Sequence, residues 1–127
     1  MKILVVEDQR IESKLAVHVL SAAGHDVAFA DAAEQALAAI KADHPNVILM
    51  DLALPGTDGL TLVRKLKADP VTRDIHIVAV TSYPETFSRA EALAAGCDAY
   101  LGKPLSTRSL PEILVDVVEN AERRSDP

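Results

Sequence analysis

Short hydrophobic runs that end abruptly in polar residues recur along the chain. Ile3–Val6 and Val47–Met50 are uninterrupted, and Ile75–Val80 is broken only by His76, a pattern typical of strands covered on both faces in a parallel sheet. At Asp26–Ala30 the pattern alternates instead, which indicates a strand at the sheet edge. Ala99–Leu101 is a brief apolar segment of the same kind. The pattern therefore predicts five strands.

Between and after these strands, apolar residues recur at steps of three and four, the spacing of an amphipathic helix. The five predicted apolar faces comprise Ile11, Leu15, Val19, Leu20 and Ala23; Ala33, Ala36, Leu37 and Ile40; Leu60, Val63 and Leu66; Phe87, Ala90, Leu93 and Ala94; and Leu110, Ile113, Leu114, Val117, Val118 and Ala121. Gly24 and Gly96 are expected to end the first and fourth helices. Pro84 is predicted to lie in the first turn of the fourth helix, and Asp58 to cap the third.

Strands and helices alternate throughout, which predicts an α/β fold with an open parallel sheet and helices on both faces. Right-handed crossovers limit the topologies to a few. We expect one doubly wound domain over residues 1–122, followed at residues 123–127 by a polar tail or the start of a linker. In such a sheet, ligands bind outside the carboxyl ends of the strands, where the strand order reverses.

Composition narrows the function classes. The chain has 127 residues, 49% hydrophobic and 25% charged, which fits a soluble globular domain. A net charge of −6 argues against direct binding to nucleic acid or to an anionic membrane. The single cysteine, Cys97, excludes an intramolecular disulfide. The apolar N-terminal run is too short for a signal peptide, and no segment reaches membrane-spanning length, so we expect a cytoplasmic protein.

The residues that follow the predicted strands form a chemically consistent set. Glu7 and Asp8 follow the first strand, Asp51 the third, Thr81 the fourth and Lys103 the fifth. Carboxylates held close together repel one another and raise each other's pKa, and a divalent cation removes that repulsion. Ligation by oxygen alone, without His or Cys, favours Mg²⁺, for which Mn²⁺ could substitute.

A phosphoryl group is the substrate that suits this edge. Lys103 supplies a positive charge and Thr81 a hydroxyl donor, which with a cation would stabilise the equatorial oxygens of a transferring phosphoryl group. Asp51 follows the most buried strand and is the candidate nucleophile. Taken singly, an aspartate after a strand is more often a helix cap or turn former, an interpretation that we keep for Asp58. To explain the whole set, the cap or turn interpretation would have to apply independently at four strand ends. We therefore disfavour this interpretation for the set.

Four motifs in order carry a resemblance to a known family. They are I-L-V-V-E-D at 3–8, M-D-L-A-L-P-G-T-D-G at 50–59, V-A-V-T-S at 78–82 and Y-L-G-K-P at 100–104. With these motifs the chain resembles the CheY-like receiver domain of bacterial two-component response regulators, from Met1 to about Glu122. The resemblance implies a flavodoxin-like, five-stranded sheet of order 2-1-3-4-5.

The resemblance also implies a phosphoacceptor and a metal site. Asp51 would accept a phosphoryl group from a histidine kinase or a histidine phosphotransfer protein. Asp8 would ligate Mg²⁺ directly, together with Asp51 and the backbone carbonyl of Ala53. Glu7, which stands where aspartate is commoner in the family, would act on the metal mainly through water.

Three further roles follow from the same resemblance. Lys103 would pair with the phosphoryl group, and its peptide bond to Pro104 would be cis. Thr81 and Tyr100 would form a switch pair, in which the threonine moves towards the phosphoryl group and vacates space for the ring. The surface formed by the fourth helix, the fifth strand and the fifth helix would change with them and bind a downstream protein target. A homodimer through that surface is compatible with the same resemblance.

The resemblance thus implies a signalling phospho-acceptor, not an enzyme beyond assisting its own phosphorylation and dephosphorylation. Two alternatives stay open. A phosphatase that passes through an aspartyl-phosphate usually needs a second acid two residues after the nucleophile, where this chain has Ala53. A receiver-like domain that binds partners independently of phosphate would have no need of the complete set of edge residues.

Overall fold

The computed structural model describes residues 1–125, and their side chains as far as Ala121. Strands and helices alternate along the chain. In order they are β1 (Lys2–Val6), α1 (Arg10–Ala22), β2 (Asp26–Ala30), α2 (Ala33–Ala42), β3 (Val47–Asp51), α3 (Gly59–Ala68), β4 (His76–Thr81), α4 (Arg89–Ala95), β5 (Ala99–Gly102) and α5 (Leu110–Ser125). Helix α5 extends past Glu122, and the last two residues of the expected tail lie outside the described residues.

The strands form one parallel sheet of order β2-β1-β3-β4-β5, which confirms the predicted fold class and strand order. A single row across the sheet joins Phe29, Val5, Leu49, Val78 and Ala99. The chain moves outward from β1 to β2 and then returns to the other side of β1, so the strand order reverses between β1 and β3. The carboxyl ends of these two central strands therefore flank the point at which open parallel sheets bind ligands.

The two faces of the sheet bury separate hydrophobic clusters, since successive residues of a strand point to opposite sides. Leu4, Ile48 and Ile77 pack with α2, α3 and α4. Val5 and Leu49 belong to the cluster on the opposite face, with α1 and α5. Burial of each such side chain stabilises the fold by about 1.5–3 kcal/mol. Within the described residues, no helix is both long and apolar enough to cross a membrane.

The predicted apolar face of α1 is only partly confirmed: Leu20 is buried, but the rest of the buried stripe differs from the prediction. The buried residues of the helix are Ser13, Ala16 and Leu20, whereas Ile11 is 82% exposed and Leu15 is exposed as well. Small side chains along the buried stripe allow the helix to pack closely against β1. Ile11 and Leu15, two of the residues that defined the predicted face, lie on the neighbouring stripe.

Helix α4 begins later than predicted. Pro84 was expected in its first turn, but the helix starts at Arg89. Ser88 caps it by accepting a hydrogen bond from the Glu91 amide at 3.1 Å, and donates its own hydroxyl proton to the Glu91 carboxylate. The Ser88 cap satisfies an exposed backbone donor of the first turn, which Pro84 does not do. The predicted end at Gly96 is confirmed, with the left-handed φ of 115° that favours glycine.

The start of helix α3 is pressed against the end of strand β3. Asp58 caps the helix as predicted, accepting a hydrogen bond from the Thr61 amide at 2.7 Å. A Cβ atom added at Gly59 would lie 2.6 Å from Leu52 Cα and 2.7 Å from the Asp51 carbonyl oxygen. Because both neighbours are backbone atoms, only glycine permits this approach.

Replacing Gly59 with alanine is expected to destabilise the domain by roughly 1–2 kcal/mol. Overpacking against backbone costs about 1–3 kcal/mol, which outweighs a gain in helix propensity of at most about 1 kcal/mol. Urea unfolding measures the difference. Gly102→Ala is the matched control, because a Cβ there meets nothing within 4 Å, and its stability should change by less than about 0.5 kcal/mol. Equal losses at the two positions would contradict the packing explanation.

Candidate functional site

The structure brings all five predicted edge residues to one end of the sheet. Asp51 and Thr81 are the last residues of β3 and β4, Glu7 and Asp8 follow β1, and Lys103 follows β5. These strands are neighbours in the sheet, so their carboxyl ends meet. Glu7, Asp51 and Thr81 are buried. Such burial is unfavourable for polar groups without partners, and each of the three has them.

Asp51 is fixed through both of its carboxylate oxygens. Oδ1 accepts a hydrogen bond from the Ala53 amide at 3.0 Å, and Oδ2 lies 3.2 Å from Lys103 Nζ. The strand that carries it is held by pairing between Asp51 and Val80 of β4. The carboxylate therefore has one defined orientation at the edge of the sheet.

The backbone that carries Lys103 is anchored to the neighbouring strand. The Lys103 amide donates a hydrogen bond to the Thr81 carbonyl oxygen at 2.9 Å. The peptide bond between Lys103 and Pro104 is cis. From this position the lysine ammonium reaches Glu7, which follows β1, and Asp51, the last residue of β3.

The Lys103 ammonium binds three carboxylates. It forms a very short contact with Glu7 Oε1, lies 2.5 Å from Glu12 Oε2 and lies 3.2 Å from Asp51 Oδ2. Glu7 is further held by the Gln9 amide, which donates to its other oxygen at 3.2 Å. One ammonium group thus contacts three carboxyl groups.

Glu12 was not among the predicted site residues. It lies in the first turn of α1, four residues before Ala16 and eight before Leu20, which are both buried. Residues four apart lie on the same helix face, so this spacing directs Glu12 towards the sheet. That spacing was the available signal, and the larger apolar residues on the neighbouring stripe obscured it.

The crowding of charge shifts the pKa values of the site. Burial, followed by hydrogen bonds with Asp51 and Glu12, raises the pKa of Glu7 from 4.5 to about 8, although Lys103 opposes this effect. Burial alone would lower the pKa of Lys103, but its hydrogen bonds to Glu12 and Glu7 and the charge of Asp51 raise it above the ordinary value. Hydrogen bonds with Glu7 and Lys103 lower the pKa of Glu12.

A cation would relieve the same crowding. Glu7, Asp8 and Asp51 each offer a carboxylate oxygen, and these oxygens all lie within 4.8 Å of one another. A set of oxygen ligands without nitrogen or sulfur suits a hard cation such as Mg²⁺. Ala53 lies beside this group and contacts it through its amide nitrogen. The role of the Ala53 carbonyl as a metal ligand stays a prediction.

Thr81 and Tyr100 both hold the loop between β4 and α4. Thr81 Oγ1 accepts a hydrogen bond from the Tyr83 amide at 2.8 Å. The Tyr100 hydroxyl donates to the Phe87 carbonyl oxygen at 2.5 Å, and its ring packs against the core cluster on the α2, α3 and α4 face. The two side chains therefore contact the main chain at opposite ends of one short loop, and their role as a switch pair stays a prediction.

In metal-free buffer, Glu7 is expected to make the free energy of unfolding fall as the pH rises from about 4.5 to about 8. A raised pKa means that the folded protein binds the proton more tightly than the unfolded chain does. Its contribution is therefore fully present below the unfolded-state pKa and is lost as the pH rises through the folded-state pKa. Urea unfolding in the presence of a chelator measures the profile.

Glu7→Gln provides the matched control for this prediction, because an amide does not ionise. Its pH profile should be flatter over the same range. A wild-type profile no steeper than that of the variant would contradict the assignment of a raised pKa to Glu7.

The chain matches known proteins over nearly all of its length. A family model for the response regulator receiver domain matches residues 3–115. The chain is 37% identical over 125 residues to the phosphate regulon transcriptional regulatory protein PhoB of Pseudomonas aeruginosa, a match that covers 98% of this chain and 53% of PhoB. It is 30% identical over 119 residues to the polar-differentiation response regulator DivK of Brucella ovis, covering 94% of this chain and 97% of DivK. The chain thus spans about half the length of PhoB.

Solved structures of receiver domains have the same fold as this chain. A CheY-like receiver domain protein from Methanospirillum hungatei superposes with a TM-score of 0.88 at 28% identity, over 98% of both chains. The chemotaxis response regulator CheY4 of Vibrio cholerae has a TM-score of 0.83 at 27% identity, over 91% of this chain and 97% of that one. By sequence and by fold, the chain belongs to the response regulator receiver domain family.

Proposed function

We propose that this receiver domain is a phospho-acceptor of a two-component system and that Asp51 is its phosphorylation site. The phosphoryl donor would be a histidine kinase or a histidine phosphotransfer protein. The observation that carries the proposal is the fixed, buried carboxylate of Asp51, held between the Ala53 amide and the Lys103 ammonium. A buried acid so placed is pre-oriented for attack and lies beside a positive charge.

The proposed transfer forms one bond and breaks one. An Asp51 carboxylate oxygen attacks the phosphorus atom, and the bond between phosphorus and the donor nitrogen breaks with its electron pair passing to that nitrogen. A phosphohistidine protonated on its other ring nitrogen then leaves as neutral imidazole, and an acyl phosphate remains on Asp51. Lys103 balances part of the negative charge that this group brings.

Mg²⁺ is the cofactor that fits the site, and Mn²⁺ could substitute for it. The grouping of Glu7, Asp8 and Asp51 is the supporting observation, because each offers a carboxylate oxygen and these oxygens lie within 4.8 Å of one another. Asp8 and Asp51 would hold the ion directly, the Ala53 carbonyl would complete the protein ligands and Glu7 would act mainly through water. When bound, the ion supplies positive charge to the phosphoryl oxygens.

The same proposal assigns a switch to Thr81 and Tyr100. The Thr81 hydroxyl accepts a hydrogen bond from the Tyr83 amide, and its own proton is available to an oxygen of a phosphoryl group on Asp51. A movement of Thr81 in that direction would release the loop that Tyr100 holds at Phe87. The surface formed by α4, β5 and α5 would then change, and a downstream protein target or a second copy of the chain would bind one of its two states.

Signalling, and not turnover of a substrate, is the proposed role. Ala53 stands where a phosphatase of the aspartyl-phosphate type would need an acid, and its methyl group has no proton to transfer. The net charge of −6 supports a protein partner over direct contact with nucleic acid. We further propose a cytoplasmic location, and a domain boundary near residue 122.

Incubation with acetyl phosphate and Mg²⁺ tests the phosphorylation site. Wild type should gain one phosphoryl group that hydroxylamine removes, and Asp51→Asn should gain none, as measured by intact-protein mass spectrometry. Asp58→Asn is the matched control on the same loop, since asparagine caps a helix as well as aspartate does, and it should be labelled like wild type. Labelling of Asp51→Asn at the wild-type level would overturn the proposal.

The switch is tested with beryllium fluoride, which mimics a phosphoryl group on a carboxylate. In wild type with Mg²⁺, the backbone NMR signals of residues 83–87 should shift on binding. Thr81→Ala should bind the mimic and lose most of this shift, because the alanine cannot donate a hydrogen bond. Thr81→Ser keeps the hydroxyl and should retain it. A full shift in Thr81→Ala would remove Thr81 from the switch.

A further inference from the structure

Within the described residues, all three N–H donors of the Lys103 ammonium have carboxylate acceptors. An ammonium group carries three N–H donors. Within residues 1–121, the carboxylates that contact Lys103 Nζ are those of Glu7, Glu12 and Asp51. A phosphoryl oxygen that arrives at Asp51 therefore gains a hydrogen bond from Lys103 only if one of these three carboxylates releases it.

Glu12 is the partner that is easiest to release. Its side chain is 50% exposed, against 8% for Glu7 and 5% for Asp51. A half-exposed carboxylate that loses an ammonium partner is hydrated at once, whereas a buried one keeps an unbalanced charge. Asp51 also stays next to the lysine because it carries the phosphoryl group. Release of Glu12 is thus the least costly of the three exchanges.

The surroundings of Lys103 leave room for that exchange. A cavity of about 120 Å³ lies between α1 and the segment that follows β5, and its lining includes Glu12, Leu15, Lys103 and Leu105. Because the space next to the lysine stem is open, the ammonium is held by its three carboxylate partners and not by close packing. A change of partner therefore needs no rearrangement of the core.

We propose that Glu12 is a positioning residue that holds Lys103 in the unphosphorylated protein and is replaced by a phosphoryl oxygen when Asp51 is modified. The hydrogen bond from Lys103 passes from a Glu12 carboxylate oxygen to the phosphoryl oxygen, and no covalent bond of either residue changes. The inference rests on the proposed function, since it requires Asp51 to be the phosphoacceptor. It goes beyond that function by assigning a restraint on the lysine to a residue of α1.

The Glu12–Lys103 contact is present only before phosphorylation, and this determines how its removal changes the rate. The pairing of Glu12 with Lys103 stabilises the unphosphorylated protein and must be broken on the way to the transition state. Its removal should therefore accelerate phosphorylation. Dephosphorylation starts from a state in which Glu12 has already released the lysine, so its rate should stay within about twofold of wild type.

Glu12→Gln tests the proposal with acetyl phosphate and Mg²⁺ as the probe. The uncharged amide is a weaker acceptor for an ammonium, and phosphorylation should be roughly three- to tenfold faster than in wild type. Loss of one negative charge would also reduce repulsion of an anionic donor. Glu85→Gln controls for this effect, because Glu85 is exposed in the loop that follows β4 at the same edge of the sheet. It should change the rate less than twofold.

A second measurement needs neither metal nor donor. In metal-free protein labelled with ¹⁵N on lysine, the Lys103 ammonium protons should exchange slowly with water, because all three are hydrogen-bonded. Glu12→Gln should accelerate this exchange at least about threefold, and Glu85→Gln should not. A role of Glu12 limited to the stability of α1 would leave the exchange unchanged.

The outcomes separate this inference from the proposed function. A wild-type chain that takes no phosphoryl group overturns both. A wild type that is phosphorylated at Asp51, with Glu12→Gln phosphorylated at an equal or lower rate, overturns the inference alone. So does equal acceleration in Glu85→Gln, or an unchanged exchange of the Lys103 ammonium protons in Glu12→Gln.

Discussion

Negative charge exceeds positive charge at the carboxyl edge of the sheet, and the site depends on how that excess is met. Glu7 and Asp51 are buried there, Glu12 borders them, and one ammonium contacts all three. Burial of Glu7 and Asp51 weakens the screening of this repulsion by solvent. Three changes would each reduce the repulsion between these carboxylates. They are protonation of Glu7, binding of a cation among the carboxylates, and a change of the partners of Lys103. Each of these changes would therefore alter the charge that the other two encounter.

The backbone around Asp51 is held more tightly than the side chain of Glu12, which contacts the site from α1. Leu52 donates to the Val80 carbonyl oxygen at 3.0 Å, and Gly59 donates to the Leu52 carbonyl oxygen at 2.8 Å. The close approach of Gly59 joins the start of α3 to the end of β3. Glu12, by contrast, reaches the site as a half-exposed side chain on the edge of a cavity. A firmly held Asp51 and a half-exposed Glu12 suit the proposed roles of a fixed phosphoacceptor and a releasable partner of Lys103.

Most of the fold and of the edge residues could be predicted from the sequence, because both depend on where strands end. Uninterrupted apolar runs identified the central strands, and the polar residue after each run fell at the shared edge. Helix faces were harder to predict. In α1 the small residues Ser13 and Ala16 face the sheet, so the larger Ile11 and Leu15 indicated the wrong stripe and Glu12 went unnoticed. In α4 both Pro84 and Ser88 are residues typical of a helix start, and the helix begins after Ser88, which caps it. Tertiary packing and capping, not periodicity, decided these positions.

The loop between β4 and α4 is held through its main chain. Thr81 accepts from the amide of Tyr83, and Tyr100 donates to the carbonyl of Phe87, so neither contact depends on which side chains the loop carries. Residues 83–86 direct their side chains to solvent. Substitutions at these positions can alter the surface presented to a partner, while the two main-chain hydrogen bonds to Thr81 and Tyr100 stay the same. If Thr81 and Tyr100 form the proposed switch, partner recognition and conformational coupling are separable in this loop, and its side chains can change without altering the two main-chain contacts.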